Sequence, residues 1–395
     1  MSKSVSEFFS KQGIKKFKNG IKAFSDRHAT KMAAASMILA SAFAVSCRSV
    51  NANNVVKSDE TVTAYAVTQA GDTLCSYQTL KQDSVSFARL QKLVNNAVNT
   101  PTGRNVLEQI SQQGTVLYTG NAGQGVIGFF DPNTNSICLN SVFKDDDLQS
   151  CLIHEGKHSV QSHALNENVD LFHTFGSNVM TTRVMEADAM ATQTKFSYEL
   201  AQTGDSLAWK QLVNTHRGIT RAFENGAKKH GQNSNETMKE TMLAWYKNKS
   251  YVALYDKSMI DFHKNVVLNV SNKMAKKAFT QTISADSLIK YVCTVDGKPY
   301  AGTDGSVLKT SSTAYLTEDF CKAAETIGNS AARRGNRDTS VNDFYVLKNG
   351  SVSDKTYGEI KAEKAKTSTQ KKDQKLKNQS AASFKTAAVL DYSGR

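Results

Sequence analysis

Leu152-Ile153-His154-Glu155-Gly156-Lys157-His158 is the stretch from which the rest of the chain can be read. On a helix, two histidines four residues apart lie on one face, one turn above the other. Their ring nitrogens can then converge on a single metal ion at about 2.0–2.1 Å. Glu155 follows the first His by one position, about 100° round the axis. It is too displaced to be a third in-line ligand but sits well to touch a water held on such an ion. The helix is inferred from context. Lys144-Asp145-Asp146-Asp147 precedes an apolar-periodic run that begins at Leu148, and acids suit a helix N-terminus. The bland reading of the same seven residues is a surface helix with two solvated histidines and a Glu-Lys pair.

Upstream, Val126–Phe130 is an apolar run and Ser136–Asn140 alternates polar and apolar. Between them lies Asp131-Pro132-Asn133-Thr134-Asn135, in which Pro presets φ and the Asp and Asn side chains can bond their own backbone. The spacing predicts a β-hairpin whose second strand is a sheet edge able to hold an extended peptide. Further upstream, Phe87, Leu90, Val94 and Val98 give a helical stripe, Arg104–Gln112 a short helix and Val116–Tyr118 a strand. Gly120–Gly125 is a loop without the Gly-Lys-Ser/Thr of a phosphate cradle. Downstream, helical periodicity covers Leu207–His230, Glu236–Tyr246 and Val252–Val270.

A hydrolytic zinc site needs a third protein ligand and one open position. A third His six residues after His158 is absent, since that position is Ala164; His163 is one residue early, and His173 falls in a loop. Glu186 is the better candidate. It lies on the next predicted helix, which a loop around residues 166–176 lets fold back antiparallel, and small Ala187 and Ala189 permit close packing. Its alternative is an ordinary surface acid. Asp188 faces another side, as a candidate for an ion pair or for holding a ligand from behind, and Glu167 and Asp170 are outside chances as ligands. Tyr198, His216 and Tyr246 are candidate oxyanion donors, each more often an ordinary core or surface residue.

Hairpin, HEGKH helix followed by Ser-Val-Gln, and Glu-Ala-Asp-Ala on the next helix together resemble the gluzincin-type minimal zincins. More narrowly, they resemble an uncharacterised bacterial putative-metallopeptidase family, over roughly residues 85–205. The resemblance implies a mostly helical α+β fold, with a small hairpin or sheet packed on the HExxH helix and a Glu-bearing helix after it. It implies one zinc ion bound by His154, His158 and Glu186. Glu155 would be the general base toward a zinc-activated water, and the substrate a peptide or protein. The chain departs from the thermolysin-like pattern at Met190, where that pattern has a second acid. The partner that orients a His ligand is therefore not identified from sequence.

The 395 residues carry a net charge of +13, unevenly spread. Residues 1–46 hold eight Lys/Arg and two acids, and residues 355–395 hold ten and four, so each end is +6 and the body is nearly neutral. A nucleic-acid-binding domain carries its charge on a folded face, so no specific nucleic-acid partner is expected. Residues 12–24 read as a basic amphipathic helix suited to a membrane surface. Met32–Ser46 is uncharged and suits the apolar part of a secretory signal, with Cys47 as a lipidation candidate. Export or envelope association follows as an expectation, with a cytoplasmic setting as its alternative. The expected divisions are a basic segment with signal or anchor at 1–47, a polar lead at 48–84, the metallopeptidase domain with its helical extension at 85–280, a mixed part at 281–354 and a basic disordered tail at 355–395. Two other functions fit the same sequence: an inactive zincin-like binding or scaffold protein, and a membrane-surface or polyanion-binding protein in which HEGKH is accidental. Scattered Cys with no CxxC argue against thiolate-ligated zinc but do not separate disulfides from free thiols.

Overall fold

The computed structural model describes residues 60–68, 70–165, 172–269, 271–335 and 343–392. The amphipathic segment, the signal-like run, Cys47, Glu167 and Asp170 lie outside these. The described chain opens with an antiparallel hairpin, β1 (Thr61–Val67) and β2 (Thr73–Leu80). This corrects the reading of 48–84 as a mere polar lead. β1 alternates buried Ala64 and Ala66 with exposed Thr63 and Tyr65, and β2 alternates buried Tyr77 and Thr79 with half-buried neighbours. Thr and Ser on the wet face dilute the apolar signal.

Helix α1 (Ser84–Val98) is capped by Asp83, which accepts from the backbone N–H of Val85 and Ser86. Helix α2 (Pro101–Gln112) starts on a Thr100 cap with Pro in its first turn. They carry the chain over to β3 (Val116–Gly120), parallel to β2. The predicted hairpin follows as β4 (Gly128–Asp131) and β5 (Ser136–Asn140). The sheet order is β1-β2-β3-β5-β4. The edge is therefore the first strand of that hairpin, β4. The second, β5, is held between β3 and β4, which its fully buried pattern requires.

Helix α3 (Asp145–Leu165) carries HEGKH and α4 (Phe175–Gln202) carries Glu186. The acidic start of α3 is held by Arg89 and Lys92 of α1, at 2.7 and 3.1 Å from Asp145. Every residue of α3 from Leu148 to Ser162 is buried, and α4 is buried over nearly its whole length. Helices enclosed on all sides form the centre of a fold rather than its skin. The sheet, α1, α2 and α5 (Leu207–Thr215) enclose α3, while α2, α5, α6 (Arg217–His230), α7 (Asn235–Lys247) and α8 (Lys249–Asn269) enclose α4.

After α9 (Asn272–Lys277) and α10 (Ala285–Tyr291), a short hairpin of β6 (Thr294–Val295) and β7 (Lys298–Pro299) lies near α3. A small sheet then joins β8 (Tyr315–Thr317), β9 (Tyr345–Lys348) and β10 (Ser351–Thr356) around α11 (Glu318–Ala332). The last element, α12 (Tyr357–Tyr392), is one long helix, exposed along most of residues 357–379, where the sequence reading expects a disordered tail. Its Lys, Ala, Gln and Glu are good helix formers without an apolar stripe. Among the described residues no helix is long and apolar enough to cross a membrane, and all five described cysteines are free.

Gly128 sets the approach of β4 to α3. A Cβ there would meet the Cys151 thiol at 2.7 Å and the Cys138 carbonyl at 2.9 Å. Gly128→Ala is expected to destabilise the protein by about 1–3 kcal/mol, as overpacking does. Calorimetry should show a melting temperature lower by several degrees; an unchanged value would disprove the close fit.

Candidate metal centre

The register between α3 and α4 is antiparallel, as expected. Rising along α3, His154 meets Gln193, His158 meets Glu186, and Gln161 meets Met185. His154 and His158 present their Nε2 atoms 3.1 Å apart, with the rings nearly perpendicular at 84°. Glu186 straddles them: Oε2 is 3.4 Å from His154 Nε2, and Oε1 is 3.4 Å from His158 Nε2. Atoms held about 2.0–2.1 Å from one ion at tetrahedral angles lie about 3.3–3.4 Å apart. Each Glu186 oxygen stands at that distance from one imidazole and the two Nε2 atoms are slightly closer, so the three side chains converge tightly enough to share one small cation. Two neutral imidazoles and one carboxylate also suit such an ion chemically.

Glu155 supports the same fit. Its Oε2 accepts from the Phe130 backbone N–H at 3.0 Å, while its Oε1, fully buried, has no hydrogen-bond partner within the protein. A buried carboxylate oxygen left this way costs about 1–3 kcal/mol or more unless something donates to it. Gly156 completes the local fit, since a Cβ there would stand 2.7 Å from Val106 of α2.

Each of these three side chains is held from behind by a residue that the sequence reading misses. His154 Nδ1 lies 3.0 Å from Gln193 Oε1, and His158 Nδ1 lies 2.9 Å from Gln161 Oε1. Tyr255, from α8, donates its hydroxyl to Glu186 Oε2 at 2.7 Å. The signal for Gln161 and Gln193 is spacing: Gln161 lies three residues after His158, close to one turn, and Gln193 seven after Glu186, close to two. Tyr255 carries no such signal. Asp188 proves to be an ion-pair residue, 3.3 Å from Lys157.

The other candidates fall elsewhere. His163 bonds the Ser159 carbonyl of its own helix. His173 pairs through its backbone with Gln281. Tyr198 packs on Trp209 and Phe223, and Tyr246 lies against Trp245. His216 is the one donor candidate whose electrostatics couple to a ligand. Burial, then the charge on His154, holds its pKa down at about 4. It stacks on Tyr251, whose hydroxyl lies 3.1 Å from its Nε2.

Residues 67–301 match the putative metallopeptidase family DUF6782. The chain belongs to that family. Neither a search of curated proteins nor a search of solved structures returns a significant match. Membership implies a metal ion and peptide or protein substrates, and His154, His158 and Glu186 are a buried group able to hold one. The match runs from the last residue of β1 to just past Tyr300, so β2 and the β6–β7 strap enter it together with HEGKH, while the rest of β1 lies outside.

Burial by itself would lower the His158 pKa, but Glu186 outweighs it and raises it to about 9. Burial would raise Glu186, but the charge of His158 and hydrogen bonds from both imidazoles hold it well below the carboxylate range. A raised imidazole stabilises the fold fully below its unfolded pKa of about 6.5, and that contribution is lost as pH rises through about 9. A depressed carboxyl stabilises above its unfolded value of about 4.3, and that contribution is lost as pH falls. Metal-stripped protein should therefore gain most from this pair between about pH 4.3 and 6.5. Urea midpoints measured from pH 3 to 10 check this: Glu186→Gln should remove that part of the profile, and an identical profile in the variant would refute the assignment.

Proposed function

We propose that the chain is a zinc-dependent peptidase in which His154, His158 and Glu186 hold one zinc ion and Glu155 is the general base. The observation that carries the reading is the unpaired Glu155 Oε1, buried beside two imidazoles and a carboxylate that converge on one point. When bound, the ion would supply an acidified water and polarise the scissile carbonyl.

The protein's own part is to orient and to move a proton. Phe130 N–H fixes one carboxylate oxygen of Glu155, which leaves Oε1 as the proton-accepting atom. Burial, against the pull of the two imidazoles, raises the Glu155 carboxyl above its ordinary value. A raised pKa makes it a better proton acceptor and lets it return the proton to the leaving amine. Tyr255, whose phenol burial pushes well above 10, stays protonated and keeps Glu186 turned toward the imidazoles. An exported setting, read from residues 32–47, belongs to the same proposal. Recovery of the protein from its cell with residues 1–46 intact would count against it.

A purely structural metal is the second reading. It is favoured by the burial of His154, Glu155, His158 and Glu186 to 3% exposure or less. Glu155→Gln separates the two. A peptidase should lose about 10²–10⁴-fold in kcat on an unfolded protein substrate while keeping one zinc per chain. Full retention of hydrolysis, or none in the parent protein at any zinc level, would sink the enzyme reading. In His158→Ala, elemental analysis should find the zinc itself gone.

A further inference from the structure

The two histidines are not held alike. Gln161 Nε2 donates to Asp188 Oδ2 at 2.6 Å and to the Met185 carbonyl at 2.9 Å. A carbonyl only accepts, and Asp188 is surrounded by donors alone. Its Oδ1 takes the Tyr300 hydroxyl at 2.8 Å, and its Oδ2 lies 3.3 Å from the Lys157 ammonium. Lys157 in turn donates to the Thr294 carbonyl at 2.9 Å. The nitrogen end of the Gln161 amide must therefore face Asp188, and its oxygen must face His158 Nδ1. An oxygen at that place demands Nδ1–H, which leaves Nε2 as the lone-pair atom on the side of Glu186. Gln193 has no such lock. Its Oε1 faces His154, but its buried Nε2 has no partner within the protein.

We propose that Asp188 is a positioning residue for the metal centre: acting through Gln161, it fixes His158 in the tautomer that can ligate. This rests on the metal-site reading above and deepens it. Lys157, the fourth residue of HEGKH, and Tyr300, from the β6–β7 strap, hold Asp188 in place from outside. The competing account is that Asp188 only neutralises a buried lysine.

The test removes the acceptor and separates that from the loss of charge. In Asp188→Asn, the carboxylate is gone and the Met185 carbonyl alone is left to hold the Gln161 NH2, so the Nδ1–H form of His158 loses half of its lock. The double variant Lys157→Met/Asp188→Asn also removes the buried ammonium, which restores neutrality without restoring the acceptor. Zinc affinity is read by chelator competition. The single variant should bind about 10–100-fold more weakly, the usual loss when such a partner is removed. The double variant should keep that loss. In zinc-loaded protein, the slowly exchanging Nδ1–H proton resonance of His158 should persist in the parent and weaken in both variants. Unchanged affinity in Asp188→Asn would overturn the proposal. So would recovery of zinc affinity in the double variant, as charge neutralisation alone predicts. If the parent binds no zinc, the metal-site reading itself fails and this proposal with it. If the parent binds zinc but does not cleave, only the peptidase reading fails.

Discussion

Packing α3 against α4 puts two imidazoles, three carboxylates, a lysine and two carboxamides where water is excluded. Each of these groups costs free energy when buried unless a partner meets it. The rest of the structure answers that constraint. The sheet supplies a backbone amide to Glu155, and α8 supplies a phenol to Glu186. The β6–β7 strap supplies a carbonyl to Lys157 and a phenol to Asp188. Elements far apart in sequence are thereby fixed around two helices that have no simple apolar face of their own.

That constraint also explains what could be read from sequence and what could not. The convergence of His154, His158 and Glu186 is legible because side chains that meet across two helices keep fixed helical spacing, and spacing survives in a one-dimensional string. The β4–β5 hairpin is legible through its turn chemistry. The first hairpin is not, because an outer strand with one wet face uses Thr and Ser as freely as Val. Tyr255 and Tyr300 are invisible for a different reason. Their partners lie 69 and 112 residues away, and one hydroxyl leaves no periodic trace. The final helix escapes because high helix propensity without a buried face resembles a solvated tail.

A second polar clamp ties the later residues to the same centre. Arg183, one turn before Glu186, meets both Asp256 oxygens at 3.0 and 2.7 Å and donates to the carbonyls of Thr313 and Tyr315 at 3.0 and 2.6 Å. Asp256 is the neighbour of Tyr255, so α8 is gripped at the turn that touches Glu186. Removing one partner of such an enclosed pair costs about 3–5 kcal/mol. Residues 313–315 lie beyond the stretch matched to the family, yet they anchor the helix that carries Glu186.

The amide that steadies Glu155 belongs to β4, and it points away from β5 toward α3. An edge strand normally leaves such a donor free to pair with a further chain. Here a buried carboxylate from the neighbouring helix has taken it, so this end of the sheet is sealed against strand addition, and a group that elsewhere invites aggregation serves to aim a side chain.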